Sequence, residues 1–309
     1  MKCKIFSFML LCIVCFIMCC ASLETKKLTD NGKDIYRLIE AGDKSKKLYD
    51  NNQAIEYYNQ ALKLIKTEGV ETTLLGHIYQ SLGEIYFFFA RYEDVLEYCR
   101  KALDHTIDKK DRANIYGLMG WTYEREGNSY LALKHAKLGI TELENSTESP
   151  EMAWISISLF WPTLYDGNTA EAIKIAQRGI EIGEKTENNF AVAQLYIGLL
   201  FAYMEPSYNV NEMDKGFECA KKSVEAALKS GDIYSIKHSN FWLGWAYMRK
   251  GDDETAIRLM KDSIEFYKKT NLIFHLNQSL GWLSEIYMRK GDLKSLNEIS
   301  NLILEYEEK

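Results

Sequence analysis

The sequence predicts an all-α solenoid of about seven stacked helix-turn-helix repeats, and three observations support this fold class. The stretch "YMRKGD" occurs twice, at 247–252 and at 287–292, so the two copies begin 40 residues apart. Only three prolines occur among the 309 residues, which suits long uninterrupted helices. Apolar residues recur at helical spacing, for example Ile257, Met260 and Ile264. Because one helical hairpin cannot bury its own apolar face, stacked copies are expected.

The first residues have the layout of a secretory signal. Lys2 and Lys4 precede a short apolar run, which small residues follow. This run is shorter than the roughly 20 apolar residues that a membrane-spanning helix needs. We therefore predict a signal segment over 1–20, a polar tether over 21–33 and the solenoid over 34–309.

The end of the apolar run allows three interpretations. The stretch "IMCC" resembles a bacterial lipobox with Cys20 as the lipidated residue, although Cys19 stands where that pattern has Gly, Ala or Ser. Ordinary cleavage after Ala21 and retention as an uncleaved anchor are the other two. We favour lipidation of Cys20, because a cysteine lies where the apolar run ends. This predicts a periplasmic or outer-membrane lipoprotein of the cell envelope, and otherwise a secreted protein.

The repeats share a first helix with the pattern L-G-x-x-Y and a second helix that carries small residues. In the second unit, Leu82, Gly83 and Tyr86 form this pattern, and Ala102 lies on the second helix. The units resemble tetratricopeptide repeats, in the variety with about 40 residues per unit rather than about 34. The resemblance implies a right-handed superhelix. The small residue of each first helix corresponds to Gly42, Gly83, Gly120, Phe160, Gly198, Gly244 and Ser284.

Four turns between paired helices combine a glycine with a following Asn or Asp. Glycine can end a helix in the left-handed conformation without a Cβ clash. The Asn or Asp that follows can cap the next helix, which is worth ~1 kcal/mol against alanine. A longer turn, at 204–215, replaces this pattern in the fifth unit. Either it forms part of a functional surface, or the fold simply tolerates the extra residues. The four short turns are Gly127-Asn128, Gly167-Asn168, Gly251-Asp252 and Gly291-Asp292.

No catalytic, metal-binding or nucleotide-binding motif appears in the sequence. It contains no phosphate-binding loop and no HExxH pair, and its five histidines are scattered. Cys99 and Cys219 lie about three repeats apart, beyond the ~7 Å between Cα atoms that a disulfide allows, so free buried thiols are expected. The net charge of -6 argues against nucleic-acid binding. We therefore expect no cofactor, no metal site and no enzymatic activity.

The resemblance implies that the first helices line a concave groove in which ligands lie. Two positions one helical turn apart on these helices carry Trp, Tyr or Arg in several units, and these residue types dominate binding hot spots. Packing between repeats is the alternative for each Trp, whereas the arginines are expected to be exposed. The pattern predicts a partner with apolar or aromatic side chains and some acidic character. The candidate binding residues are Phe88, Trp121, Arg125, Trp161, Tyr165, Tyr203, Trp245, Arg249 and Arg289.

The preferred functional hypothesis is a non-enzymatic scaffold, tethered to or secreted across a bacterial membrane. It would bind a protein or an extended peptide in its groove, and a lipid on Cys20 would attach it to the membrane. A cytoplasmic peptide-sensing regulator with similar long repeats is the alternative. The signal segment favours the first hypothesis. An enzyme that uses a groove pocket ranks third, because no catalytic constellation supports it.

Overall fold

The computed structural model describes residues 30–68, 73–144, 146, 148–208 and 210–307. Within these ranges the chain forms fourteen α-helices and no strand. Consecutive helices pack as seven pairs, which we call units one to seven. The predicted all-α solenoid of seven helical repeats is therefore confirmed.

The helices are 14 to 18 residues long, and each unit pairs an odd-numbered first helix with an even-numbered second helix. A short 3₁₀ turn at Pro206–Tyr208 lies in the long fifth turn that the sequence indicated. The helices are α1 (Asp30–Lys47), α2 (Asn51–Glu68), α3 (Thr73–Phe88), α4 (Tyr92–His105), α5 (Lys109–Arg125), α6 (Ser129–Leu143), α7 (Pro150–Tyr165), α8 (Thr169–Lys185), α9 (Asn189–Met204), α10 (Met213–Ser230), α11 (Ile233–Arg249), α12 (Asp253–Lys269), α13 (Ile273–Lys290) and α14 (Leu293–Glu307).

The first helix begins earlier than the predicted start of the solenoid. Helix α1 starts at Asp30, inside the stretch 21–33 that was expected to be a tether. The predicted signal segment and Cys20 lie outside the described residues, so both stay predictions. Among the described helices, none is both long enough and apolar enough to cross a bilayer.

Glycine ends the first helix in four units, as the sequence predicted. The backbone angle φ is positive at Gly127, Gly167, Gly251 and Gly291. A residue with a Cβ would pay roughly 1–2 kcal/mol in this left-handed conformation. In unit three, the side chain of Asn128 then accepts a backbone N–H of α6 at 3.1 Å and caps that helix.

Units one and two end their first helices without glycine. The residues with positive φ there are Tyr49, at 59°, and Ala90, at 56°. Both occupy the turn position that glycine has in the four other short turns, so both accept the cost of the left-handed conformation. Tyr49 is also buried, with only 8% of its surface exposed.

The buried apolar residues form separate clusters, and most of those in unit one belong to a different cluster from those of the later units. Units two to seven contribute to one large cluster. Unit one packs with α3 in a separate small cluster that includes Ile35, Tyr58 and Leu82. Among the described residues of unit one, Tyr49 alone belongs to the large cluster. Unit one is therefore joined to the distant units through this one buried ring.

The superhelix brings early units into contact with late units, unit one with unit six and unit three with unit seven. The Tyr49 hydroxyl donates a hydrogen bond to Asp232 at 2.8 Å, although 183 residues separate them. The guanidinium of Arg125 in unit three lies 5.2 Å from the ring of Phe274 in unit seven. These contacts enclose a central space between the first helices.

Both described cysteines are free and buried, as predicted. Burial raises the pKa of the Cys99 thiol, and it raises the pKa of Cys219 to about 11. Because the thiolate is the reactive form, both thiols are unreactive at neutral pH.

Candidate functional site

A cavity of about 490 Å³, which we call the central pocket, lies inside the superhelix. It touches α3 near its C-terminal end, at Phe87, and α5 four residues before its end, at Trp121. It touches α7 in its first half, at Trp154, and α9 at its second residue, Phe190. It reaches α11 at Asp232, the residue that caps this helix. The pocket therefore crosses the stacked first helices obliquely.

Four rings from four consecutive first helices form one side of the pocket, the aromatic wall: Phe87, Trp121, Trp154 and Phe190. The ring centroids of Phe87 and Trp121 are 4.6 Å apart. Trp121 and Trp154 meet edge to face at 5.2 Å, and Trp154 lies 5.9 Å from Phe190. These distances are typical of favourable aromatic contacts. Within the aromatic wall, the partly buried rings of Trp154 and Phe190 offer an apolar surface to a ligand, whereas Phe87 and Trp121 are almost fully buried.

Local sequence features hold the middle of the aromatic wall in place. Gly117 lets Trp154 approach α5, because a Cβ on Gly117 would lie 2.7 Å from the indole ring. The side chain of Ser149 caps α7 by accepting a backbone N–H at 3.3 Å. The side-chain amide of Asn188 donates to the carbonyl oxygen of Pro150 at 2.8 Å. This bond ties the start of α9 to the start of α7.

An ion pair connects unit one with unit two at the edge of the pocket. The ammonium of Lys46 donates to Glu84 at 2.6 Å and to the hydroxyl of Ser81 at 3.0 Å. Gln80 donates to the other oxygen of Glu84 at 3.0 Å. Burial opposes ionisation of Glu84, but the charge and hydrogen bond of Lys46 hold its pKa below the ordinary value.

Three buried polar atoms on the pocket walls have no hydrogen-bond partner in the described part of the chain. They are Nδ2 of Asn51, Nε1 of Trp121 and Oε2 of Glu151. Asn51 is 4% exposed and Trp121 is 2% exposed. A buried polar atom without a partner costs about 1–3 kcal/mol. A ligand that displaces the groups covering these atoms, and offers carbonyl oxygens to the two donors and a cationic or N–H group to the carboxylate, would remove this cost.

Asp232 and Tyr49 close one end of the pocket. One carboxylate oxygen of Asp232 accepts the Tyr49 hydroxyl, and the other accepts the backbone N–H of Ser235 at 2.6 Å. Burial raises the pKa of Asp232 in spite of these two bonds. Burial together with the neighbouring Asp232 carboxylate also raises the pKa of Tyr49.

The ionisable residues of the pocket carry an excess of negative charge. Lys46 and Lys47 face Glu84, Glu151 and Asp232, which makes two cations against three carboxylates. A basic ligand group therefore suits this pocket better than the acidic partner that the sequence predicted.

Two of the nine predicted binding residues, Phe88 and Trp121, border the central pocket. Phe88 is partly buried, and its ring lies 4.8 Å from that of Tyr234. Trp121 is almost fully buried, and its unpartnered N–H is buried with it, so it adds little accessible surface to the pocket. The other seven predicted residues lie outside this pocket.

Trp245 belongs to the core and does not line a groove, because it is fully buried. Its ring lies 5.1 Å from Phe201, 5.9 Å from Trp282 and 6.1 Å from Trp242. The guanidinium of Arg249 covers it at 5.5 Å. Packing between repeats, the alternative that the sequence left open, holds at this position.

Helix α9 turns Tyr203 away from the central pocket. Tyr203 faces α8 and α10, where the ammonium of Lys215 lies 5.9 Å from its ring, and it borders a separate cavity of about 480 Å³. Trp161 is partly buried, with its ring 5.5 Å from Phe201. Tyr165 is 53% exposed. Neither Trp161 nor Tyr165 borders the central pocket.

The expectation that the arginines are exposed is wrong for Arg125. Its side chain is 18% exposed and lies 3.5 Å from the buried carboxylate of Glu124. Arg289 is 45% exposed and forms an ion pair with Asp253. None of the three predicted arginines borders the central pocket, so the expected acidic partner stays a prediction about the rest of the groove.

Buried histidines join the helices of units six and seven. Nε1 of Trp242 donates to Nε2 of His238 at 3.2 Å. Since an indole can only donate, Nδ1 of His238 carries its proton and donates to the hydroxyl of Tyr267, also at 3.2 Å. The Tyr234 hydroxyl and Nε2 of His275 lie 2.9 Å apart. Burial lowers the pKa of both histidines, that of His238 to about 3, so both are neutral.

Sequence reasoning missed Asn51, Glu151, Trp154 and Phe190. It followed two fixed positions, one helical turn apart, along the first helices, whereas the pocket moves toward their N-terminal ends from unit to unit. Trp154 lies two helical turns before Trp161, the residue that was chosen. A reference position that moves toward the N-terminus in successive units would have selected it.

The comparison with protein families identifies one repeat. The family model "Tetratricopeptide repeat" matches residues 238–270, which cover most of unit six. The match falls on this unit and not on the second, where Leu82, Gly83 and Tyr86 carry the L-G-x-x-Y pattern. No curated protein matches the sequence.

Solved structures share the fold at low sequence identity. A Rap protein complexed with Competence and Sporulation Factor has a TM-score of 0.72 and 16% identity, over 92% of this chain and 77% of that chain. The Rap conjugation gene regulator of the plasmid pLS20, in complex with the Phr* peptide, has a TM-score of 0.71 and 16% identity, over 92% and 78%. Aspartyl phosphate phosphatase F from Bacillus subtilis has a TM-score of 0.62 and 17% identity, over 93% and 73%. At these identities the likeness shows the fold.

Proposed function

We propose that this protein is a non-catalytic binding module whose central pocket takes up an extended segment of a protein or peptide. The observation that carries the proposal is the set of three unpartnered polar atoms beside the aromatic wall. Support also comes from the Rap conjugation gene regulator, a similar fold that was solved with the Phr* peptide.

The chemistry of the pocket matches a peptide backbone with a basic side chain. Nδ2 of Asn51 and Nε1 of Trp121 can donate to backbone carbonyl oxygens. The carboxylate of Glu151 can accept a Lys, an Arg or a free amino terminus, and such charge-assisted bonds are the stronger kind. The aromatic wall can take an apolar or aromatic side chain. A volume of about 490 Å³ holds a few residues of such a segment.

The non-catalytic part of the proposal rests on Glu84 and Asp232, the two of the three pocket carboxylates that are engaged by the protein itself. Glu84 is paired with Lys46, and Asp232 accepts bonds from Tyr49 and from the backbone of α11. Both carboxylates therefore serve the walls of the pocket. The fold alone does not decide the point, since a similar fold is described as an aspartyl phosphate phosphatase.

A positional-scanning library of hexapeptides tests the proposed binding by affinity selection and mass spectrometry. We expect the protein to retain peptides that combine a Lys or Arg with an apolar or aromatic residue. Glu151→Gln keeps the shape of the side chain and removes its charge, so retention of these peptides should fall by about tenfold or more. Glu171→Gln on α8 is the matched control, because Glu171 is 52% exposed and lies outside the pocket.

The two carboxylate variants separate binding in the pocket from other binding. Equal peptide profiles for Glu151→Gln and Glu171→Gln would contradict recognition by Glu151. A library from which no peptide is retained by the native protein would contradict peptide binding itself.

We further propose that a lipid on Cys20 tethers the module to the membrane in the cell envelope. The layout of the first residues supports this location. Cys20→Ala should then move the protein from the membrane fraction to the soluble fraction, and unchanged fractionation would contradict lipidation. A cytoplasmic peptide-sensing regulator is the alternative, and the fold suits it equally well. The labelling of the chain by a radioactive fatty acid distinguishes the two.

A further inference from the structure

We propose that Tyr49 is a clasp that holds unit one as a lid over the central pocket, and that release of this clasp admits the bound segment. The inference rests on the proposed function for what the pocket binds. The clasp itself can be tested without any ligand.

The backbone at Tyr49 shows that its side chain is placed there at a cost. Tyr49 has the left-handed conformation at a turn position where four other units carry glycine. A glycine at this position would form the same turn without strain. The tyrosine is therefore explained by what its ring contacts and not by the turn.

The ring of Tyr49 is inserted between distant parts of the molecule. It lies 5.5 Å from Phe88 of α3, 5.9 Å from Tyr234 of α11 and 5.8 Å from Phe266 of α12. Its hydroxyl reaches Asp232 at 2.8 Å. Unit one is thereby fastened to unit six across the superhelix.

Unit one has the properties of a lid. It supplies one wall of the pocket through Lys46, Lys47, Tyr49 and Asn51. Its remaining buried apolar residues pack within the unit and against α3. If the Tyr49 ring leaves its site, unit one can turn about its contact with α3 and carry this wall away from the pocket.

Release of the clasp also explains how a segment within a longer chain could enter. Such a segment has no free end that can be threaded past the contact between unit one and unit six while the clasp holds. It can be laid in from the side once unit one has moved. A short peptide with free ends does not have this restriction.

The test measures how fast a cysteine in the pocket reacts with maleimides of different size. Asn114→Cys on α5 places a thiol on the pocket wall, and mass spectrometry of the peptide that contains residue 114 reports its labelling separately from all other cysteines. N-ethylmaleimide is the small reagent, and tetramethylrhodamine maleimide is the bulky one. Each is used on the full chain without ligand.

The clasp is opened by Tyr49→Gly, and Ala90→Gly is its matched control. Both replacements put glycine at a turn residue with positive φ, but Ala90 lies in the turn of unit two and does not belong to the buried cluster that Tyr49 shares with unit six. We expect Tyr49→Gly to accelerate labelling by the bulky reagent about tenfold and by the small reagent much less. The control should leave both rates unchanged.

An equal rate of bulky labelling in the Tyr49→Gly and Ala90→Gly backgrounds would overturn the clasp. If circular dichroism shows that Tyr49→Gly does not fold, Tyr49→Phe replaces it, because it keeps the ring and removes the bond to Asp232. It should accelerate bulky labelling roughly two- to tenfold, the factor expected for one hydrogen bond, and no acceleration would again overturn the proposal. Since the labelling test uses no ligand, its result does not depend on whether the peptide library finds a binder. Failure of the labelling test would likewise leave the proposed peptide binding untouched.

Discussion

Units three and six carry the same pair of residue types, and the structure uses the two pairs differently. Trp121 and Arg125 stand four residues apart on α5, as Trp245 and Arg249 do on α11. Trp121 borders the central pocket, whereas Trp245 does not. The rings of Phe201, Trp242 and Trp282 and the guanidinium of Arg249 surround Trp245. The indole N–H of both tryptophans is buried without a partner in the described part of the chain.

The difference comes from the surroundings of each pair and not from the pair itself. Both tryptophans have a ring on either side: Phe87 and Trp154 lie 4.6 and 5.2 Å from Trp121, and Phe201 and Trp282 lie 5.1 and 5.9 Å from Trp245. A third ring, that of Trp242 on the same helix, lies 6.1 Å from Trp245, whereas a cavity of about 490 Å³ borders Trp121. The surrounding side chains thus decide whether a tryptophan at a repeat position borders a cavity or lies wholly in the core.

Replacement of the buried tryptophan should have the largest effect. Trp245→Ala should lower the free energy of unfolding by about 3–5 kcal/mol, because a large side chain is lost from a fully packed site. Trp154→Ala in the aromatic wall should cost less, about 2 kcal/mol, because its ring already faces a cavity. Urea denaturation followed by circular dichroism measures both. Equal losses would mean that the wall and the core are packed alike.

Acid should weaken the core of units six and seven. Burial holds the pKa of His238 at about 3, below its ordinary value of 6.5, so between these pH values the unfolded chain binds a proton that the folded chain does not. Stability is therefore lost as the pH falls from 6.5, by about 1.4 kcal/mol per pH unit for this one group. At pH 5 the loss from His238 alone should be about 2 kcal/mol.

Urea denaturation between pH 5 and pH 7 tests this dependence. The pKa of His275 is also lowered by burial, so it should contribute a second, similar slope. His238→Gln should leave about half of the pH dependence, whatever its effect on stability at pH 7. If the variant keeps the full slope, His238 is not the group that titrates.

Two glycine replacements sharpen the contrast between the aromatic wall and an open surface. Gly117→Ala should cost about 1–2 kcal/mol, because its new methyl group would lie 2.7 Å from the Trp154 ring and displace it. Gly281→Ala on α13 should instead stabilise by about 0.5–1 kcal/mol, because no atom lies within 4 Å and alanine favours a helix. Thermal unfolding compares them. A stabilising Gly117→Ala would show that the wall can move aside.

The repeat number and the turns could be predicted because they depend on short-range features. The positive φ at Gly127, Gly167, Gly251 and Gly291 follows from the absence of a Cβ, which is visible in the sequence. The positive φ of Tyr49 was not predicted, because the strain of this backbone conformation is offset by contacts with residues about 180 positions away. Local propensity carries no information about such contacts.

The lining of the central pocket was predicted less well, and Trp154 and Phe190 show the reason. Both lie on first helices, as expected for a groove, but nearer the N-terminal ends than the positions that were chosen. Each unit is rotated relative to the one before it, so the line of closest approach to the pocket moves along successive helices. Burial of Arg125 has the same origin, since a distant unit brings Phe274 against it.

The sequence by itself determined an all-α chain of seven helical hairpins, since helical spacing, turn glycines and the repeat are local properties. Only the tertiary structure decided which aromatic residues face a cavity and which are buried. It also decided that the first unit meets the sixth through Tyr49 and Asp232. The physical reason is that both results depend on the small rotation between neighbouring repeats, which accumulates over the whole array and is not encoded at any one position.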